Sequence, residues 1–207
     1  MGKLAFLFPG QGAQVVGMGK DFFDAYDLAK KRFAEADEAL GYSISKLCFE
    51  GPADQLQLTE HTQPAILTVA VIASELLRAE GVEPEIAAGH SLGEYAALVA
   101  AGVLSFQDAV LLVHKRGAYM QEAVPVGEGA MAAVIGLDDE TIISACAEAS
   151  TVGAVQAVNF NCPGQTVIAG TAKGVEHAVT LLQEKGAKKA VILPVSAPFH
   201  STLMEPA

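Results

Sequence analysis

The chain has 207 residues, 51% of them apolar and 18% charged, which is enough to bury a substantial core and too apolar for a disordered segment. A formal net charge of −11 excludes nucleic-acid binding driven by phosphate contacts, because that term needs clustered Lys and Arg. Cys48, Cys146 and Cys162 are widely spaced and neither C-x-x-C nor H-E-x-x-H occurs, so no metal site and no disulfide framework are expected, in keeping with a cytoplasmic protein.

Leu4 to Phe8 reads as a buried strand, too short for a signal peptide, and no run reaches transmembrane length. Residues 9–14, Pro-Gly-Gln-Gly-Ala-Gln, break it into a loop that lacks both P-loop and GxGxxG spacing. Asp21 to Leu40 reads as one helix. Thr62-Gln63-Pro64 reads as a helix start, with Thr62 as N-cap and proline tolerated in the first turn. Ile66, Leu67, Val69, Ala70, Ala73, Leu76 and Leu77 then form a broad apolar stripe that ends at Gly81.

Residues 89–93, Gly-His-Ser-Leu-Gly, fit the G-x-S-x-G nucleophile elbow, a sharp strand-to-helix turn that exposes one serine. Ile86-Ala87-Ala88 leads in as a buried strand end, and residues 94–101 lead out as a helix. The bland alternative is a glycine-rich turn with an idle surface serine. Ser105 and Asp108 form a capping box for a helix that runs to about Glu122, with Ala109, Leu112, Val113 and Met120 on its apolar stripe. Arg116 falls on that stripe, and a core-facing arginine needs an anionic partner. That partner is a substrate carboxylate or an internal one, Glu94 or Asp108. Arg32 and Arg78 read as ordinary helix surface.

Composition shifts around residues 125–129. Strands are expected at Ala130 to Ile135, Val155 to Phe160, Thr166 to Ala169 and Ala190 to Leu193. Helices are expected at Asp139 to Ala149 and Ala172 to Glu184, with an Asn161-Cys162-Pro163-Gly164 turn between the middle strands. This βαββαβ order is the ferredoxin-like arrangement. The reading is therefore a small subdomain at 127–195 inserted in a larger α/β domain formed by 1–126 and 196–207.

A serine hydroxyl needs a base. His90 adjoins Ser91, but neighbouring side chains at a strand end point apart. His114 and His177 lie within expected helices, His61 precedes a helix, and His200 lies in a loop, where functional groups are commonly presented.

These residues together are similar to the malonyl-CoA:acyl carrier protein transacylase family of fatty acid synthesis, related to the acyltransferase domains of polyketide synthases. The matching pieces are residues 8–14, Thr62-Gln63-Pro64-Ala65, Gly89 to Tyr95, Arg116-Gly117, Asn159 to Gln165 and Pro198-Phe199-His200-Ser201, in the family's order. The resemblance implies an α/β fold: a hydrolase-like core with a parallel sheet, plus the ferredoxin-like insert. It implies a Ser91–His200 dyad, with an oxyanion hole from the backbone N–H groups of Gln11 and Leu92. Arg116 takes the substrate carboxylate. Gln63, Asn159, Asn161 and Phe199 border the substrate pocket, although Gln63 also suits a helix cap and the asparagines suit a turn.

The implied substrates are malonyl-CoA, a coenzyme A thioester with no bound cofactor, and acyl carrier protein. Neither nucleic acid nor membrane is an expected partner, and a monomer is expected. Lys185, Lys188 and Lys189 are candidates for docking an acidic carrier. Family members continue past Pro206-Ala207, so the C-terminal part of the family fold is expected to be absent here, along with a glutamine whose carbonyl orients the catalytic histidine. Two other readings are a serine esterase or thioesterase with the same elbow, and a non-catalytic carrier-docking module.

Overall fold

The computed structural model describes residues 2–125, 127–193, 195 and 197–207. The chain divides into two compact units, residues 1–118 and 119–207. The composition shift at 125–129 therefore lies inside the second unit, and residues 197–207 fall there as well.

The first unit opens with β1 (Ala5–Phe8), whose Phe6 and Phe8 are buried while Leu7 points outward, the period of two expected of a strand. The single helix expected over 21–40 is two, α1 (Lys20–Ala25) and α2 (Asp27–Leu40), broken at Tyr26, which is extended at φ −129° and ψ 129°. Phe33 of α2 packs edge-on against Phe23 and Phe49, and the break turns Phe23 toward that cluster. Two short helices without an expected counterpart follow, α3 (Ile44–Glu50), capped by Ser43, and α4 (Ala53–Leu56).

The next helix, α5 (Thr59–Ala79), begins three residues before the expected Thr62 cap. The Thr62 hydroxyl donates instead to the Leu56 carbonyl at 2.6 Å. Pro64 sits inside α5 and has no N–H for the carbonyl of Glu60, four residues back. The His114 Nδ1 fills that place at 3.0 Å. The α5 core face is Ala65, Ile66, Leu67, Val71 and Ile72, whereas Leu77, expected on the stripe, is exposed.

The elbow elements are β2 (Ile86–Gly89), parallel to β1 with Phe8 opposite Gly89, and α6 (Gly93–Ala100). Ile86 was expected to be buried but is half exposed, because among the described residues β2 pairs with β1 alone. The Asp108 N–H donates to the Ser105 hydroxyl at 3.1 Å, the N-cap half of the expected capping box, and that hydroxyl donates to the Asp108 carboxylate at 2.6 Å, before α7 (Phe106–Ala123). Phe106, Ala109, Val110 and Val113 are the buried residues of its first turns, while Leu112 is exposed, one position off the face expected.

The second unit carries β3 (Gly129–Ile135), α8 (Asp139–Ala149), β4 (Val155–Cys162), β5 (Gln165–Thr171), α9 (Ala172–Glu184) and β6 (Lys189–Ile192). The four strands form one antiparallel sheet in the order β4-β5-β3-β6. Asp138 caps α8 through the Thr141 N–H at 2.8 Å, and Thr171 caps α9 through the Gly174 N–H at 3.2 Å. Ile142, Ala145, Ile168, Val175, Ala178 and Leu182 fill the space between helices and sheet. The expected four-residue turn is shorter, because β4 runs through Cys162 and leaves Pro163 and Gly164, the latter at φ +79°, to reverse the chain. Among the described residues no helix is long and apolar enough to cross a membrane.

Candidate active site

At the elbow the backbone is packed too closely for ordinary side chains. A Cβ on Gly89 would lie 1.9 Å from the Gly93 carbonyl carbon, and one on Gly93 would lie 2.2 Å from the Phe8 carbonyl oxygen. The His90 N–H donates to that same oxygen at 3.0 Å. His90 also closes on the loop after β1, since a Cβ on Gly10 would meet its carbonyl oxygen at 2.6 Å and its ring Nδ1 at 2.8 Å. The glycines thus bring the ends of β1 and β2 and the start of α6 together, with Ser91 at the apex.

Ser91 has φ +52°, in the left-handed region that costs a side-chain-bearing residue about 1–3 kcal/mol. Among the described residues only one other non-glycine shares this sign, His200 at φ +63°. His200 belongs to the second unit, in the turn before a 3-10 segment at Thr202–Met204.

Among the described residues, neither the Gln11 nor the Leu92 backbone N–H donates to a protein acceptor. The Leu92 side chain is buried beneath the elbow, and the Gln11 side chain donates to the Thr59 hydroxyl at 3.3 Å.

Arg116 arrives from α7. Gly117 beside it allows α7 to press on the start of α5, where a Cβ would lie 2.6 Å from Glu60 Cα and from the Thr59 carbonyl oxygen. Arg116 Nη1 donates to Gln63 Oε1 at 2.8 Å, and Nη2 donates to Ser91 Oγ at 3.0 Å. Gln63 is only 1% exposed. The guanidinium carbon lies 5.7 Å from the centre of the Tyr95 ring. Burial pushes the Arg116 pKa below its ordinary value, partly opposed by Tyr95 and Glu94. Among the described residues of the first unit Arg116 makes no ion pair, and Asp108, one of its two candidate internal partners, serves the α7 cap.

The other arginines are not the plain surface expected of them. Arg32 grips Glu75 through Nε at 2.8 Å and Nη2 at 2.6 Å, and also pairs with Glu35. Arg78 donates to the Ala100 carbonyl at 2.7 Å and lies 3.3 Å from Glu83. Both tie together segments distant in sequence, which neighbouring residues along the chain do not reveal.

His61 Nδ1 is 2.9 Å from the Gln55 carbonyl. Phe199 is buried in the second unit with Met131, Val167 and Ala169. Asn159 lies on β4 opposite Val167, and Asn161 lies in an irregular stretch of the same strand. Lys185 pairs with Glu148 at 3.5 Å, and the Lys188 stem covers Gly136. Tyr95 has no role in the sequence reading; its signal is helical spacing, four residues after Ser91. Among the described residues no group of three His, Cys, Asp or Glu side chains suits a metal ion.

The acyl transferase domain family matches residues 5–207. The chain is 55% identical over 208 residues to the malonyl CoA-acyl carrier protein transacylase of Bacillus subtilis (strain 168), covering 100% of this chain and 66% of that protein. It is 53% identical to the Escherichia coli (strain K12) protein of the same name, again over all of this chain and 67% of the other. The chain belongs to the malonyl CoA-acyl carrier protein transacylase family.

Solved relatives agree. An acyl-carrier-protein S-malonyltransferase from Burkholderia pseudomallei 1710b matches with a TM-score of 0.95 at 55% identity, over 99% of this chain and 67% of that one. A malonyl-transacylase in complex with a type II PKS acyl-carrier protein matches with a TM-score of 0.96 at 47% identity, over 99% of this chain and 67% of that one. The chain spans about two thirds of the length of these transacylases.

Proposed function

We propose that the chain moves a malonyl group from coenzyme A to the phosphopantetheine thiol of an acyl carrier protein through a malonyl ester on Ser91. The observation that carries this reading is the hydrogen bond from Arg116 to Ser91 Oγ at 3.0 Å. It puts a desolvated cation, with no carboxylate partner among the described residues of its unit, beside a strained elbow serine. A neutral ester gives such a cation nothing to pair with, whereas an acyl group ending in carboxylate does. The hydrolase-like reading of the core is supported by the parallel β1–β2 pair with the elbow at its end. The ferredoxin-like reading of 127–195 is supported by the βαββαβ order and by the β4-β5-β3-β6 sheet.

In the proposed cycle His200 takes the Ser91 proton as Oγ attacks the malonyl thioester carbonyl. The N–H groups of Gln11 and Leu92 stabilise the tetrahedral oxyanion, each worth roughly 3 kcal/mol in comparable sites. The C–S bond breaks, and coenzyme A leaves as a thiol with the proton from His200. The carrier's thiol then gives its proton to His200, attacks the ester carbonyl, and releases Ser91. The Arg116 fork holds the malonyl carboxylate; a charged hydrogen bond worth about 1.5–3 kcal/mol favours malonyl over acetyl roughly 10–150-fold. Gln63 holds the arginine, Asn159, Asn161 and Phe199 border the pocket, and Lys185, Lys188 and Lys189 meet the acidic carrier.

The test is to incubate the chain with malonyl-CoA and weigh it intact. One malonyl adduct is expected, absent in Ser91→Ala and in His200→Ala. No adduct on the unaltered chain overturns the reading. Reversing the three lysines to glutamate is expected to slow transfer to the carrier while sparing the adduct.

A further inference from the structure

The Arg116 guanidinium has one fork and three claims on it. Gln63 Oε1 holds Nη1, the Tyr95 ring lies beside the guanidinium, and Nη2 donates to the nucleophile itself. A hydroxyl oxygen that accepts from a cationic donor has that lone pair directed at the donor and less available to a carbonyl carbon. We propose that Arg116 restrains Ser91 until a substrate carboxylate takes the Nη2 donor, so that recognising the charged end of the acyl group and releasing the nucleophile are one event. This rests on the malonyl-transfer reading and adds a kinetic layer to it.

The exchange runs in the required direction. A carboxylate is a stronger acceptor than a neutral hydroxyl, and its two oxygens match the planar fork. Burial leaves the Arg116 charge under-compensated, which favours an incoming anion. Gln63 and Tyr95 act as positioning residues: with Nη1 held and the ring alongside, only the Nη2 hydrogen bond has to change hands. An acetyl group brings no carboxylate to take Nη2, so its carbonyl meets Oγ still restrained. Selectivity then falls on the rate of acylation as well as on binding, and a merely structural arginine would not produce that pattern.

Phenylmethylsulfonyl fluoride probes this without any carboxylate. The Oγ–S bond forms, the S–F bond breaks, fluoride leaves, and the serine proton passes to the base. Intact mass gives the rate. Arg116→Gln is expected to be sulfonylated about tenfold faster than the unaltered chain, the size of one charge-assisted hydrogen bond. Gln63→Glu offers a fixed carboxylate to the same guanidinium and is expected to accelerate sulfonylation with the arginine still present. Unchanged or slower sulfonylation in the folded variants overturns the proposal, because the arginine would then assist Oγ or ignore it.

Folding is checked by circular dichroism. If Arg116→Gln does not fold, Gln63→Glu decides. If neither folds, formate added to the unaltered chain decides, with acceleration over chloride at equal ionic strength expected and a flat response overturning the idea. Failure of the transfer reading looks different: no malonyl adduct, whatever the sulfonylation rates.

Discussion

Residues 129–192 and the neighbourhood of Ser91 are built by different means. In β3 to β6 local rules and tertiary packing agree. The helices α8 and α9 start at side-chain caps, and every described residue there with positive φ is a glycine. Around Ser91 the local rules are overridden. A serine takes a left-handed backbone, a proline sits inside α5, and an arginine is desolvated with a glutamine and a hydroxyl as its hydrogen-bond acceptors. The second pattern persists only because neighbouring backbone over-determines it, and such sites are where chemistry concentrates.

The comparison yields tests, taken from the largest expected effect. Ser91→Ala is expected to lower malonyl transfer about 10⁴-fold or more while the fold is kept, measured by adduct mass and single-turnover rates. A comparable loss from a residue of 129–192 that touches no substrate would break the contrast. Next come two glycines. A Cβ on Gly93 would lie 2.2 Å from the Phe8 carbonyl oxygen, and one on Gly174 would lie 2.2 Å from that of Gly153. Gly93→Ala and Gly174→Ala are each expected to cost about 3 kcal/mol in denaturant unfolding, since both force backbone against backbone. Equal costs would show that tight packing is common to the two regions and that strain is what distinguishes the elbow.

Strain itself is read by Ser91→Gly. With φ at +52°, glycine is expected to raise stability by about 1 kcal/mol while abolishing the adduct. A loss of stability instead would mean that the serine's contacts outweigh its backbone cost.

The smallest effect is in the cores, one cysteine from each region. Burial pushes the Cys48 thiol up to about 12 and the Cys146 thiol up to about 11, from an ordinary value near 9. Each keeps its proton in the folded state after the unfolded chain has lost it. The stability gained is therefore whole below about pH 9 and is lost as pH rises through about 11 and then 12. Thermal midpoints from pH 8 to 11 should fall less steeply for Cys48→Ala and Cys146→Ala than for the unaltered chain. In native protein at pH 8, iodoacetamide should label Cys162, the exposed thiol, ahead of the other two.

The legibility of the fold follows the same divide. The bounds of α8 and α9 are those expected, because Asp138, Thr171 and the apolar periodicity point to the same ends. The break at Tyr26, the short helices α3 and α4, and the early start of α5 were not legible, because apolar spacing alone does not mark them. Thr62 looks like a cap until Leu56 offers its carbonyl, and Pro64 looks like a first-turn residue until His114 takes up the carbonyl it leaves. Arg32 reads as surface because Glu75, the residue it grips, is 43 positions away. At the candidate site, Ser91 was legible from its flanking glycines and Arg116 from its place on an apolar stripe. Tyr95 was not, since an aromatic one turn along a helix is ordinary core material by pattern.

By itself the sequence determined the turn at residues 89–93, the caps and periodicity of residues 129–192, and the oddity of a cation among apolar neighbours. These are short-range matters, settled by φ preferences, by hydroxyl and carboxylate caps, and by the spacing of apolar side chains. Only the tertiary structure decided which acceptors that cation meets. The choice among Glu94, Asp108, Gln63 and Ser91 was made by the contact of Gly117 with the start of α5, where two backbones meet at a distance no nearby sequence specifies.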